Sequence, residues 1–216
     1  MAWDTARTKR LLLEAAVTEF AEHGPQGARV DRVASAAGVN KERIYQYFGN
    51  KKSLFNAVLE AELAQAAAAV PMPGPDGDLG ELAGRLFDYH RAHPHLLRLL
   101  SWEALQDGTT PPVSEDERSA HYADKAASIA LLQQAGTATT DFPPGRLFGA
   151  VFALATWWLT MPQLARMTRA GADNSPDALR ADLIAMTRRL TTGTSGSVQP
   201  HSEQQGPASS EPEASA

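Results

Sequence analysis

The sequence predicts an all-α protein. Apolar residues recur at spacings of three and four along most of the 216 residues, which is the period of an amphipathic helix. No stretch shows the sustained alternation of β-branched and polar residues that marks a strand. Glycine and proline cluster between the periodic segments, where helices end. We therefore expect helices joined by short breaks, and no sheet.

Four helices are expected in the N-terminal part. Gly38 suits a left-handed helix end, and Asn40 and Asn50 are suited to cap the helices that follow them. The segment HGPQG, with two glycines and a proline, ends the first helix. The expected bounds are about Thr5 to Glu22, Val30 to Ala37, Lys41 to Phe48, and Lys51 to about Val70.

A break at PMPGPDGD, Pro71 to Asp78, precedes a larger helical part. Ser114 with Glu117 three residues later forms a capping-box pattern, and Ser175 before Pro176 is a second start signal. The expected helices lie near Leu79 to Ala92, Pro94 to Gln106, Ser114 to Gln134, Pro144 to Arg169 and Pro176 to Thr191.

The last segment, residues 193–216, contains one large aliphatic residue, Val198. Such a composition buries too little apolar surface to offset the entropy of ordering. We expect a disordered acidic tail, and nothing motif-like in it favours a partner-binding role.

Composition excludes several classes of protein. The chain has no cysteine, which removes disulfides, thiolate metal ligands and cysteine nucleophiles. The longest apolar run, Ala150 to Leu159, is about half of the roughly 20 residues that a membrane span needs. The first residues lack the pattern of a signal peptide. We expect a soluble, cytoplasmic protein without a membrane partner.

The charge is distributed unevenly. The whole chain carries a net charge of −5, yet residues 1–60 hold 9 Lys and Arg against 7 Asp and Glu. The remainder holds 11 against 18. Attraction to a polyanion depends on the local surface, so a weakly basic N-terminal part is compatible with nucleic acid despite the acidic total.

Residues 30–48 have the layout of a helix-turn-helix: a short helix, the turn GVN and a second short helix, with longer helices on both sides. In this motif the second helix enters the major groove of DNA. Ile44 and Phe48 are four residues apart and are expected to face the core. The polar side chains between them are then left on the outside.

The chain here resembles the TetR family of bacterial regulators over about residues 5–66. The resemblance rests on the block VDRVASAAGVNKERIYQYF, the following GNKKSLF, Gly24, and the first-helix stripe through Ala16 and Phe20. It implies a DNA-binding domain over residues 5–66, with the helix-turn-helix at about 29–48. It also implies a helical ligand-binding and dimerisation domain over residues 67–192.

The resemblance also implies which residues meet DNA. In the family, the residue at Asn40 caps the recognition helix and reaches a phosphate, and Lys41 contacts backbone or base. Tyr45 and Tyr47 place hydroxyls against phosphates, and Lys51 clamps a phosphate beside the fourth helix. Such contacts set the register of the protein on DNA without reading its sequence.

Three further residues, Glu42, Arg43 and Gln46, remain to choose a DNA sequence, and Arg29 is expected to add a phosphate contact. Gln46 suits adenine and Arg43 suits guanine in the major groove. Glu42 either accepts from cytosine or pairs with a neighbouring cation. The family often has a small Gly-Thr pair where this chain has Glu42 and Arg43, and often a Thr cap where it has Arg29; here Arg29 is expected to replace a hydroxyl contact to phosphate with a charged one.

The family's second domain implies a homodimer and a small-molecule effector, with no cofactor. Aromatic and Met side chains are the expected pocket lining: Tyr89, Trp102, Phe152, Trp157 and Met161. Two late helices carry apolar stripes that suit a four-helix dimer interface: Phe148, Val151, Trp158 and Pro162 on one, and Leu179, Leu183, Met186 and Leu190 on the other.

Asp88, His90, His93 and His95 invite a metal-site interpretation, but no further well-spaced ligand accompanies them, so no metal is expected. No HExxH, GxSxG, GxxxxGK[ST] or GxGxxG motif occurs, which disfavours an enzyme. A non-specific architectural DNA-binding protein would be strongly basic. The predicted function is a homodimeric repressor that a small molecule releases from a pseudo-palindromic double-stranded DNA operator. A ligand-independent or activating regulator of the same fold is the alternative.

Overall fold

The computed structural model describes residues 2–106, 114–168, 171, 173 and 175–193. These residues form ten α-helices and no strand, which confirms the predicted fold class. Only Gly193 of the predicted acidic tail lies within the described residues. The helices are α1 Ala2–Gly27, α2 Val30–Ala37, α3 Glu42–Phe48, α4 Lys51–Ala69, α5 Leu79–Ala92, α6 Pro94–Ala104, α7 Glu115–Gln134, α8 Pro144–Thr160, α9 Pro162–Thr168 and α10 Pro176–Thr191.

The N-terminal four helices, called the head, pack around the apolar stripe of α1. Leu12, Ala16 and Phe20 of that stripe are buried. Phe20 meets Phe55 of α4 edge to face, with ring centroids 5.2 Å apart. Ile44, the inward residue of α3, is also fully buried. The short helices α2 and α3 are therefore fixed by burial against α1 and α4, since helices of two turns are marginal alone.

The first helix is interrupted within HGPQG, where the sequence predicts its end. Gly24 has a φ of 67° and a ψ of 173°, which are not helical. Glycine accepts this conformation because it has no β-carbon. A short helical segment, residues 25–27, follows the break, so that α1 as a whole reaches Gly27.

The remaining helices, called the body, are organised around α5, which packs against both α8 and α10. Two glycines of α5 allow a close approach to α10. A β-carbon at Gly80 would lie 2.9 Å from the carbonyl oxygen of Ile184, and a β-carbon at Gly84 would lie 3.0 Å from Cδ1 of Ile184. Arg188 of α10 is 2.6 Å from Asp78 and adds an ion pair at the same contact. The two glycines therefore let α5 and α10 approach each other closely.

One predicted side-chain cap and one predicted helix boundary in the body are wrong. Ser114 stands at the N-cap position of α7, as predicted, but its hydroxyl donates to the Glu60 carboxylate instead of accepting from the helix. The predicted helix from Pro144 to Arg169 is divided at Met161, which has φ −119° and ψ 56°. The residue before a proline is disfavoured in helical geometry, and Pro162 follows directly.

Within the described residues, no single helix is both long and apolar enough to cross a membrane. Helices α8 and α9 meet that test only when taken together, and they are bent by 92° where they join.

Head and body share part of their packing. Leu96 and Leu99 of α6 are fully buried in the same apolar cluster as the α1 stripe. The indole N–H of Trp102 donates to the carbonyl oxygen of Ala21 at 3.3 Å. His95 Nε2 lies 2.7 Å from the Glu62 carboxylate on α4. Because α6 contributes to the core of the head, a displacement of α6 or α4 would change the packing of both head and body.

Candidate nucleic-acid interface and internal cavity

The position of α2 is fixed by a buried carboxylate on α1. Glu19 is 8% exposed and accepts hydrogen bonds from the Arg29 amide at 2.7 Å and from the Arg32 guanidinium at 2.6 to 2.9 Å. Burial alone would raise the pKa of Glu19, but these donors, Arg32 first, hold it below its usual value. Arg29 begins α2 without a side-chain cap, and its own side chain is exposed.

The turn between α2 and α3 uses Gly38. Its φ of 67° and ψ of 30° are left-handed, and its amide bonds back to the end of α2. This is the helix end that glycine favours, as the sequence predicted. The turn sets the angle at which α3 leaves the core.

Helix α3 presents a polar outer face. Ile44 is fully buried, whereas Tyr45 is 48% exposed. The side chains expected to meet DNA are exposed apart from two that are half-buried, Tyr47 and Lys51. The exposed members are Arg29, Asn40, Lys41, Glu42, Arg43, Tyr45 and Gln46.

Arg43, Gln46 and Tyr47 form one hydrogen-bonded group on this face. The Arg43 guanidinium donates to Gln46 Oε1 at 3.3 Å and to the Tyr47 hydroxyl at 3.2 Å. Lys9 of α1 adds a cation 5.6 Å from the Tyr47 ring centroid. Lys9 was not among the predicted residues, because only the folded packing of α1 brings it to α3. The positive charges of Arg43 and Lys9 therefore lie close to the planar amide of Gln46 and the ring of Tyr47.

Lys41 and Lys51 already have partners. Lys41 lies 3.1 Å from Asp31 of α2, and this hydrogen-bonded ion pair raises the pKa of Lys41. The Lys51 ammonium donates to the carbonyl oxygens of Gln26 and Ala28 at 3.0 and 3.1 Å. Lys51 therefore ties the N-terminus of α4 to the end of α1, and one of its three N–H groups is left for another acceptor.

The two asparagine caps differ. Asn50 Oδ1 accepts from the Ser53 amide at 2.8 Å, so its predicted capping role is confirmed. Asn40 accepts from the Glu42 amide at a longer 3.4 Å, and α3 begins at Glu42 rather than at Lys41. The start of the recognition helix is consequently held less firmly than the start of α4.

A cavity of about 70 Å³ lies between the head and the body. Its walls come from α4, α5, α6, α7 and α8, including Leu63, Tyr89, Lys125 and Phe152. Tyr89 and Phe152 were predicted to line a pocket and do so. Trp102, Trp157 and Met161 do not line this cavity. Trp102 packs at the junction with α1, Trp157 stacks edge to face on Trp158, and Met161 is exposed at the α8–α9 break.

Two basic side chains, the buried His90 and the half-buried Lys125, line the cavity. His90 is 3% exposed, and burial, assisted by His93 and Lys125, lowers its pKa to about 4. Burial also lowers the pKa of Lys125. Neither residue was predicted to line a pocket, because only the packing of α5 and α7 against α8 brings both side chains to the same cavity.

The predicted dimer stripes divide into core and surface. Phe148, Val151 and Leu183 are buried within one chain, so they belong to the core and offer no surface to a partner. Met186 and Leu190 are exposed, and Leu179 and Trp158 are half-buried. Further exposed apolar residues follow on α9, which the sequence prediction had not separated from α8: Pro162, Leu164 and Met167.

The four residues of the suspected metal cluster have other partners or environments. Asp88 accepts from Arg180 at 2.7 Å, and His95 pairs with Glu62. His93 stacks on the Tyr89 ring with centroids 4.2 Å apart, and His90 is buried beside the cavity. No group of three or more His, Asp or Glu among residues the structure describes could hold a metal ion.

Comparison with known proteins agrees with this geometry. Residues 12–58 match the family described as "Bacterial regulatory proteins, tetR family", and residues 78–189 match "Tetracyclin repressor-like, C-terminal domain". The chain is 43% identical over 189 residues to the HTH-type transcriptional repressor SCO4008 of Streptomyces coelicolor, a match covering 88% of this chain and 97% of that protein.

Solved structures show the same architecture. The transcriptional regulator SCO4942 of Streptomyces coelicolor superposes with a TM-score of 0.75 at 31% identity, covering 85% of this chain and 98% of that one. The ketosteroid transcriptional regulator KstR2 of Mycobacterium tuberculosis shares the fold, with a TM-score of 0.61 at 19% identity over 86% of this chain and 95% of its own.

Helix-turn-helix, polar recognition helix and helical body together define a DNA-binding transcriptional regulator rather than an enzyme. More particularly, the chain belongs to the TetR family.

Proposed function

We propose that the protein is a homodimeric repressor that binds a pseudo-palindromic DNA operator and leaves it when a small molecule occupies the cavity in the body. The observation that carries the proposal is the outer face of α3, where Lys41, Arg43, Tyr45 and Gln46 are exposed on a helix anchored by Ile44. The repressor role is supported by the similarity to SCO4008, a transcriptional repressor.

The residues on this face divide into two kinds of contact. One group has hydroxyl, amide or ammonium groups that suit phosphates, and phosphate contacts fix the position of the protein on DNA without reading its bases. Its members are Asn40, Lys41, Tyr45, Tyr47 and Lys51.

Arg43 and Gln46 have the planar donors that read guanine and adenine in the major groove, and exposed Glu42 suits the amino group of cytosine. The hydrogen bonds that join Arg43 to Gln46 and Tyr47 support joint placement of these side chains on DNA. Arg29, exposed at the start of α2, adds a charged phosphate contact.

The dimer interface is proposed on the exposed apolar side chains of α9 and α10 and on the half-buried Trp158 near the end of α8. Large apolar side chains there are exposed in the single chain, with Met167 at 71% and Met186 at 37%. Contiguous exposed apolar surface marks interaction sites. A two-fold partner would cover it and set two recognition helices about one turn of DNA apart, roughly 34 Å.

Effector release is proposed to work through α4. This helix begins at Lys51, beside α3, and its residues Leu63, Ala66 and Ala67 form one wall of the cavity. A cavity of about 70 Å³ is smaller than the 150 Å³ or so that accommodates a benzene ring. A larger ligand must therefore displace a wall, and displacement of α4 changes the spacing of the two heads. Such a ligand releases DNA only by binding the displaced state better.

The dimer is tested by sedimentation of the full chain and of two matched variants. Met186→Glu adds charge to the proposed interface, whereas Leu131→Glu adds it to an exposed apolar position of α7 outside that interface. We expect the wild type and Leu131→Glu to be dimers that bind the selected operator, and Met186→Glu to be a folded monomer with weak binding. A monomeric wild type that still binds the full operator tightly would contradict the proposal.

A further inference from the structure

The polar part of the cavity lining is basic. Among the residues that the structure describes, the lining includes His90, Arg118, His121 and Lys125 and neither Asp nor Glu. Carboxylates near the lining already have partners: Glu103 accepts from the Arg118 guanidinium at 2.7 and 2.9 Å, and Glu62 lies 2.7 Å from His95 Nε2. The cavity thus carries an excess of positive charge that carboxylates of the lining do not balance.

Lys125 is the cation without a carboxylate. Its ammonium lies 5.4 Å from the Tyr122 ring centroid and 5.2 Å from that of Phe148. No ion pair joins it to a carboxylate within the part of the chain that the structure describes. Contacts with ring faces compensate a desolvated charge only partly. Burial accordingly lowers the pKa of this lysine.

His90 supplies a second unsatisfied group. It is almost completely buried, lines the cavity, and its Nδ1 has no hydrogen-bond partner in the described part of the chain. The rings of Tyr89 and Phe152 each meet the imidazole edge to face with centroids 5.6 Å away. A buried ring nitrogen without a partner costs free energy until a ligand supplies one.

Apart from the hydroxyl groups of Tyr89 and Tyr122, the rest of the lining is apolar. It includes four leucines from α4, α5 and α6: Leu63, Leu86, Leu96 and Leu100. A ligand there must be apolar over most of its surface.

We propose that the effector of this regulator is a small amphipathic monoanion, with an apolar body among these leucines and a carboxylate that pairs with Lys125 and accepts a hydrogen bond from His90. This inference rests on the proposed effector role of the cavity. A carboxylate would give Lys125 its missing counter-charge and would engage the buried nitrogen, so both unsatisfied groups favour the same chemistry.

A cationic ligand fits this lining less well. The rings of Tyr89, Tyr122 and Phe152 would attract a cation, but Lys125 would repel it at short range and no lining carboxylate would neutralise it. A neutral apolar ligand would leave Lys125 and His90 without partners and bury them further.

A charge series tests the inference. The probes are 4-phenylbutyrate, 4-phenylbutylamine and 4-phenylbutanol, which share one apolar body. Binding to the full-length protein is measured by calorimetry for the wild type, for Lys125→Met, and for Arg146→Met. Arg146 is an exposed cation of α8 outside the cavity, so its variant controls for the loss of one positive charge.

We expect the wild type and Arg146→Met to prefer the carboxylate over the amine and the alcohol by on the order of tenfold or more. Lys125→Met should lose most of this preference. Equal or tighter binding of the amine or the alcohol, no detectable binding of the carboxylate at millimolar concentration, or an unchanged preference in Lys125→Met would each overturn the inference.

The same preparations are tested for operator binding without any probe. If the dimer binds its operator but prefers the amine, the result supports the proposed repressor function and contradicts this inference. If the protein selects the carboxylate through Lys125 but binds no specific DNA, the result contradicts the proposed function and supports the anion site.

Discussion

The indole ring of Trp102 lies directly over Gly24, so that a β-carbon at Gly24 would come within 2.8 Å of two ring atoms. Gly24 is also the kink of α1, where the chain adopts a φ of 67°. Trp102 belongs to α6 of the body and α1 belongs to the head. The contact therefore joins the part that meets DNA to the part that forms the cavity, and it requires glycine on two separate grounds.

Gly24→Ala should reduce the free energy of unfolding by about 2 to 4 kcal/mol, because it combines an unfavourable backbone conformation with a steric clash. Gly136→Ala is the matched control: Gly136 has a φ of 75°, but nothing lies within 4 Å of an added β-carbon. Chemical denaturation of both variants separates the two causes. Equal losses would mean that the Trp102 contact contributes nothing.

Glu19→Gln should destabilise the head by about 2 kcal/mol, because the half-exposed Arg32 loses its charged partner while the Arg29 amide keeps a weaker acceptor. The control is Glu14→Gln, which removes an exposed ion pair with Arg10 and should lower the free energy of unfolding by only about a few tenths of a kcal/mol. Thermal unfolding measures both. A Glu19→Gln protein as stable as Glu14→Gln would remove the carboxylate from its role in fixing α2.

Stability should depend on pH through His90 between about 6.5 and about 4, because burial keeps this histidine neutral in the folded state. The unfolded chain binds a proton in that window and the folded chain does not, so stability falls as the pH falls. The expected loss is on the order of 3 kcal/mol across the window. His90→Phe should flatten the curve measured by urea unfolding at successive pH values. Parallel curves for both proteins would contradict a buried neutral His90.

Lys51→Ala should weaken binding to all DNA sequences and reduce the slope of log affinity against log salt by about 1. It should also lower stability by about 1 kcal/mol, because two hydrogen bonds to the end of α1 are lost. Lys52→Ala removes the same charge from the exposed neighbouring position. Equal salt slopes and equal stabilities of the two variants would contradict a phosphate contact that is particular to Lys51.

Local signals in the sequence predicted most of the head. The bounds of α2 and the cap at Asn50 agree with the structure, because turn glycines and capping side chains act within a few residues. The break at Gly24 was predicted as well, but that signal does not tell that residues 25–27 return to helical geometry. Lys9 reaches Tyr47 only through the packing of α1.

The body was harder to predict, because an apolar stripe does not tell core from interface. Leu183 and Met186 lie three residues apart on α10, yet one is buried against α5 and α8 and the other is exposed. His90 and Lys125 line the same cavity but belong to α5 and α7, so no local pattern in the sequence links them. Pro162 did carry a signal, and the break it causes in α8 could have been predicted.

Selection of binding sites from random double-stranded DNA by the purified full-length protein tests the proposed function most directly. We expect recovery of a pseudo-palindrome whose half-sites are about one helical turn apart, and Arg43→Ala should relax the preference at particular bases within each half-site. Recovery of no common sequence, or equal weakening by Arg43→Ala on selected and random DNA, would contradict sequence-specific reading by α3.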